Sequence, residues 1–74
     1  MPHVHISHFP KELDQEGRDA LAADLTQALV RAFGVDEGAV SVALEPVDAS
    51  DWQQRVYRPQ ILDRADLLIK TPAY

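Results

Sequence analysis

The pattern of this chain predicts an α/β fold: a single βαβ unit with parallel strands, followed by C-terminal helical segments. Three observations carry that reading. Val4 and Ile6 alternate with His3, His5 and Ser7, the period of a strand with one apolar face. Apolar residues then recur at steps of three and four from Leu21 to Phe33. Finally, Val40, Val42 and Leu44 alternate with Ser41, Ala43 and Glu45. Two period-two segments joined by a long amphipathic one give parallel strands linked by a right-handed helical crossover.

Each element has its own signals. The first strand is expected over His3–Phe9, stopped by Phe9-Pro10-Lys11-Glu12 because proline has no ladder donor. A helix is expected from about Asp14 to Phe33. Asp14 can accept from first-turn amides, Gln15 and Glu16 place negative character at the positive end of the dipole, and Gly34 suits a left-handed terminus. Its apolar stripe is Leu21, Leu25, Ala28, Leu29, Ala32 and Phe33, with Arg18, Asp19, Asp24, Gln27 and Arg31 facing away. A turn through Val35-Asp36-Glu37-Gly38 leads to the second strand, Ala39–Glu45, closed by Pro46. Beyond it, Ser50-Asp51-Trp52-Gln53 fits a capping box. Pro59 divides the remainder into short helices over Asp51–Tyr57 and Pro59–Lys70, or else kinks one longer helix.

The 74 residues are expected to form one domain, residues 1–74. A chain of this size buries only about 60–65% of its unfolded surface, so disulfides, metals or partner subunits usually add stability. Cysteine is absent, which removes disulfides and thiolate-rich zinc sites and fits a reducing cytoplasm. Association is the route left. Two parallel strands do not make a stable sheet, and one helix covers only one face of it. A homodimer would extend the sheet to four strands and hide at least one edge. The net charge of −5 argues against a nucleic-acid partner. No apolar run approaches the ~20 residues of a bilayer span, and nothing resembles a leader ahead of the first strand. A cytoplasmic protein without a membrane partner is expected.

The distinctive chemistry lies at the start. If Met1 is removed, Pro2 becomes a secondary amine fixed at the head of a strand. In an apolar pocket the cation is disfavoured, and the amine becomes a general base near neutral pH. The plain alternative is a proline that merely opens a strand. His3, His5 and His8 form an H-x-H-x-x-H run, but alternation puts His3 and His5 on one face and His8 on the other. A zinc site needs three or four ligands, so no metal and no other cofactor is expected. Trp52 is either a packing anchor or a pocket wall. Ser41 is a small strand residue or a donor to a substrate oxygen. Lys11, Arg55, Arg58 and Lys70 are solvated cations or carboxylate binders. Phosphate-cradling glycine loops, Ser/His/Asp arrangements and H-E-x-x-H are absent.

Taken together, these residues resemble the tautomerase superfamily, the small βαβ proteins grouped with 4-oxalocrotonate tautomerase, and most of all its short PptA-type branch. The likeness spans essentially the whole chain. It rests on Met1-Pro2 opening the first strand, on Phe9-Pro10-Lys11-Glu12-Leu13-Asp14, and on Ala20-Leu21-Ala22-Ala23-Asp24. Further along it rests on Val40-Ser41-Val42-Ala43-Leu44, on Trp52, and on the ending Ile69-Lys70-Thr71-Pro72-Ala73-Tyr74. The resemblance implies that Met1 is removed and that Pro2 is the catalytic residue, moving a proton between the enol and keto forms of a 2-oxo acid. Well-known members hold the substrate with two arginines and keep the pocket apolar with a phenylalanine. Here Glu12 and Ser41 stand in place of the arginines, and Trp52 in place of the phenylalanine. The departure disfavours dicarboxylates and points to an aromatic monocarboxylate such as phenylenolpyruvate, with Trp52, Ser41 and Lys11 as substrate contacts. The resemblance also implies a homodimer. A rival reading is a non-catalytic, oligomeric ligand-binding βαβ module with an idle proline.

Overall fold

The computed structural model describes residues 1–74. Two strands, β1 (His3–His8) and β2 (Ser41–Pro46), flank the helix α1 (Gln15–Phe33). They pair in parallel, from His3 opposite Ser41 to His8 opposite Pro46. The βαβ arrangement expected from the periodicities is therefore present. Val4 and Val42, and then Ile6 and Leu44, are partners in this register, so the apolar rows of both strands share one face. Leu21 and Ala22 of α1 line a crevice together with Val42 and Leu44, which places the helix over that face.

Both ends of α1 are fixed by side-chain or backbone chemistry. The Gly17 amide donates to Asp14 Oδ1 at 2.8 Å. At the other end Gly34 adopts φ 65°, and its N–H donates to the Val30 carbonyl at 2.9 Å. A Cβ at Gly34 would meet no atom within 4 Å, so the cost of a side chain there is backbone strain alone. Gly34→Ala is expected to lower stability by about 1 kcal/mol in urea titrations. Gly38, which is equally uncrowded but lacks a positive φ, should tolerate alanine with no loss.

The buried stripe of α1 is rotated from the expected one. Leu21, Leu25 and Leu29 are half-buried with Ala22, Thr26 and Val30, whereas Ala28, Ala32 and Phe33 are exposed. At about 100° per residue, Ala28 falls outside the half-circle centred between Leu25 and Thr26. Phe33 sits in the last turn, where no other layer of the chain covers it.

The C-terminal third departs further. After a 3₁₀ turn at Ala49–Asp51, a π-helical segment runs over Gln53–Leu62 with Pro59 inside it. A second 3₁₀ turn follows at Ala65–Leu67. The two helices expected on either side of Pro59 are thus replaced by one continuous wide-turn segment, nearer to the single kinked helix. The Asp63 amide reaches back five residues to the Arg58 carbonyl at 2.9 Å. A ladder with that spacing keeps the carbonyl four residues back out of the proline ring's way, which a regular α-helix cannot do. The capping box does not form, since no side chain caps either turn. Leu62, Leu67 and Ile69 remain exposed because the chain supplies no layer for them to pack on.

The π segment lies against the second sheet face, the one bearing His5, Ser7 and Glu45. These three line a cleft of about 510 Å³ with Trp52, Val56 and Ile61. Val47 lines it too, and Val47 and Val56 are the only two of 74 residues that are buried. The Cα radius of gyration is 13.9 Å, against about 11 Å for a compact domain of this length. Both figures describe a chain whose core is sparse. No helix is long and apolar enough to cross a membrane.

Candidate active site

Pro2 is half-buried immediately ahead of β1. Its carbonyl accepts from the Ser41 amide at 3.2 Å, one bond beyond the regular ladder. Ser41 is therefore tied to the proline by the backbone. Its side chain meets the other neighbour of Pro2 in the sheet: Ser41 Oγ lies 2.6 Å from His3 Nδ1, the two residues being direct cross-strand partners. His3 and Ser41 are both exposed. A backbone-anchored proline beside a hydroxyl–imidazole pair thus forms one end of the sheet.

Trp52 and Lys11 belong to the other end. Phe9 and Trp52 meet in a T-shaped pair with centroids 5.0 Å apart at 85°. Trp52 Nε1 also donates to the Tyr74 hydroxyl at 3.2 Å, and Tyr74 leans on Tyr57 at 5.7 Å. Phe9, Trp52 and Tyr74 border an apolar hollow with Ala49 and Gln53. Lys11 lies just past β1 in a shallow depression with Glu12, Leu13, Asp14 and Arg18. Both groups follow the C-terminal ends of the strands, whereas Pro2 and Ser41 mark the N-terminal ends. At 3.3 Å per residue, about 20 Å separates the two ends. Within the chain, Pro2 and Ser41 are brought together, and Trp52 and Lys11 lie at the far end from them.

The remaining candidates divide by what they touch. Arg55 donates to Glu45 Oε2 at 3.0 Å, and His5 Nε2 lies 2.8 Å from Glu45 Oε1. This network joins β1, β2 and the π segment, and it commits Arg55 to a carboxylate already present in the chain. Arg58 and Lys70 are exposed. His8 Nδ1 contacts the Phe9 carbonyl at 2.7 Å, so each histidine of the H-x-H-x-x-H run has a different partner. The sequence marked His3 only as a metal-ligand candidate. Its pairing with Ser41 depends on strand register: alternation puts both residues on the polar faces of their strands, but the strand expected from Ala39 begins only at Ser41, after a 3₁₀ turn at Glu37–Ala39.

The sheet, the crossover helix and the proline at its head define a class of protein. The family described as Tautomerase enzyme matches residues 2–59, and the chain belongs to it. It is an isomerase of the tautomerase kind. Among curated relatives it is similar to Tautomerase PptA of Klebsiella pneumoniae strain 342, 47% identical over 74 residues, covering all of this chain and 97% of the relative. Tautomerase PptA of Enterobacter sp. strain 638 is 43% identical, and that of Escherichia coli O9:H4 strain HS is 36% identical, each with the same coverage.

Proposed function

We propose that the chain is a keto–enol tautomerase for 2-oxo acids in which Pro2, exposed as the N-terminal residue after loss of Met1, is the general base and acid. The observation that supports this reading is the anchoring of Pro2 by the Ser41 amide, which fixes its nitrogen relative to the sheet. The nitrogen lone pair takes the enol O–H proton while the C2–O bond becomes a carbonyl. The resulting ammonium then delivers that proton to C3. One proton moves from oxygen to carbon, and no other reagent is consumed.

The substrate side follows from the charges present. Arg55 is already paired with Glu45, and Ser41 offers a neutral hydroxyl, so one carboxylate suits the site better than two. An aromatic monocarboxylate such as phenylenolpyruvate fits, with Trp52 as the wall for its ring. Because Trp52 and Lys11 lie at the far end of the sheet, the complete pocket takes them from a second copy. A two-fold axis normal to the sheet pairs edge strands antiparallel. It sets Pro2 and Ser41 of one protomer beside the partner's Trp52 and the partner's Lys11. The resulting four-stranded homodimer also pairs a sheet edge that a single chain leaves open. We place this single-domain enzyme in the cytoplasm.

Titration of Pro2 nitrogen by isotope-labelled NMR tests the reading. Desolvation in the assembled pocket lowers the pKa of an amine, so the nitrogen is expected to be neutral in a substantial fraction of molecules at pH 7. An amine that stays fully cationic well above neutrality would overturn it.

A further inference from the structure

The short contact between His3 and Ser41 bears on how a neutral hydroxyl at this end of the sheet handles an oxygen anion. A serine hydroxyl carries one proton and two lone pairs. If His3 Nδ1 accepted that proton, Ser41 would present only lone pairs to a substrate carboxylate or enolate and would repel it. If Nδ1 carries the hydrogen and donates to Oγ, the serine proton is free to point at the substrate. The imidazole state therefore decides whether Ser41 attracts or rejects an anionic oxygen. When the ring is cationic, both ring nitrogens carry hydrogen and only the second arrangement exists.

We propose that His3 is a positioning residue that turns the Ser41 hydroxyl into a hydrogen-bond donor toward the substrate oxygen. The relay runs His3 Nδ1–H to Ser41 Oγ, and Ser41 O–H to the carbonyl or carboxylate oxygen of a 2-oxo acid. It does at one hydroxyl what a guanidinium would otherwise do. Placement supports it. The Ser41 amide is 3.2 Å from the Pro2 carbonyl oxygen, and covalent geometry keeps that oxygen within about 4 Å of the proline nitrogen. Roughly 7 Å at most separates the Ser41 backbone from the base, a span that a three-carbon oxo acid bridges with a hydrogen bond at its far end. The pair is also accessible, with both residues exposed. The inference rests on the tautomerase reading of this end of the sheet, with Pro2 as its base.

A double-mutant cycle tests it on protein whose loss of Met1 has been verified by intact mass. His3→Val keeps a good strand former and removes the ring, and Ser41→Ala removes the hydroxyl. Each is expected to lower kcat/KM for phenylenolpyruvate ketonisation about 10- to 100-fold, the range for a hydrogen bond to a charged group. Because the two act as one relay, the double variant should lose no more than the worse single one. His3→Asn, whose side-chain amide reaches the position of Nδ1, should recover most of the activity. Losses that multiply in the double variant, an inactive asparagine variant, or single variants with undiminished rates would each overturn the proposal. Pro2→Ala, measured alongside, separates the two readings. Undiminished activity in Pro2→Ala removes the proline base, while non-additivity of the His3 and Ser41 changes is read independently against whatever base remains.

Discussion

Pro2→Ala is expected to slow ketonisation of phenylenolpyruvate by about 10² to 10⁴, the usual contribution of a positioned general base. The enol is followed by its ultraviolet absorbance. The fold should survive the change. Pro2 contributes its carbonyl to the bond with the Ser41 amide, and alanine keeps that carbonyl. The residue precedes the strand and is only half-buried, so the stability cost is limited to the greater freedom of the unfolded chain, at most about 1 kcal/mol. Activity and melting temperature should therefore separate cleanly. A second variant reaches the same atom by another route. An extra residue retained ahead of Pro2 converts its basic nitrogen into an amide, which has no proton affinity to offer at neutral pH. The loss should match or exceed that of Pro2→Ala. Equal rates in the parent and both variants would remove Pro2 from the mechanism and leave the tautomerase without its proposed base.

The parts of the fold that were legible in the sequence are those fixed by local rules. Asp14 and Gly34 bracket α1 because a free carboxylate and a left-handed backbone each have few alternative uses. The alternation in β1 and β2 identified the strands and their shared apolar face. Pro59 misled in an instructive way. A proline ends an α-helix, but a ladder that reaches five residues back goes around it, and no residue pattern announces that wider turn. Ala28 and Phe33 fit a helical period and yet face outward, because periodicity gives a stripe and not what lies opposite it. The candidate site divides along the same line. Pro2 and Ser41 were each visible as residues, but their pairing, and that of Ser41 with His3, comes from a register that only the folded sheet defines.

Mixing two weakened variants should restore activity, and the reason is the 20 Å length of the sheet. Pro2 lies at one end and Trp52 at the other, so neither can complete the other's pocket within a chain. In the proposed two-fold dimer each pocket joins Pro2 of one protomer to the partner's Trp52. Pro2→Ala alone disables the base in every pocket, and Trp52→Ala alone strips every pocket of its aromatic wall. Unfolding and refolding an equimolar mixture yields heterodimers for about half of the population, and each heterodimer holds one pocket with both residues intact. About a quarter of all pockets are then complete, and ketonisation should rise from the low rates of the separate variants toward about a quarter of the parent's. Mass measurement of the mixture by native electrospray checks that heterodimers have formed. Trp52 also anchors Phe9 and Tyr74, so Trp52→Phe serves as a gentler partner in the same mixture, retaining the packing while narrowing the wall. Heterodimers that form without any gain in rate would show that each pocket is confined to one protomer, and the two-chain site would have to be abandoned.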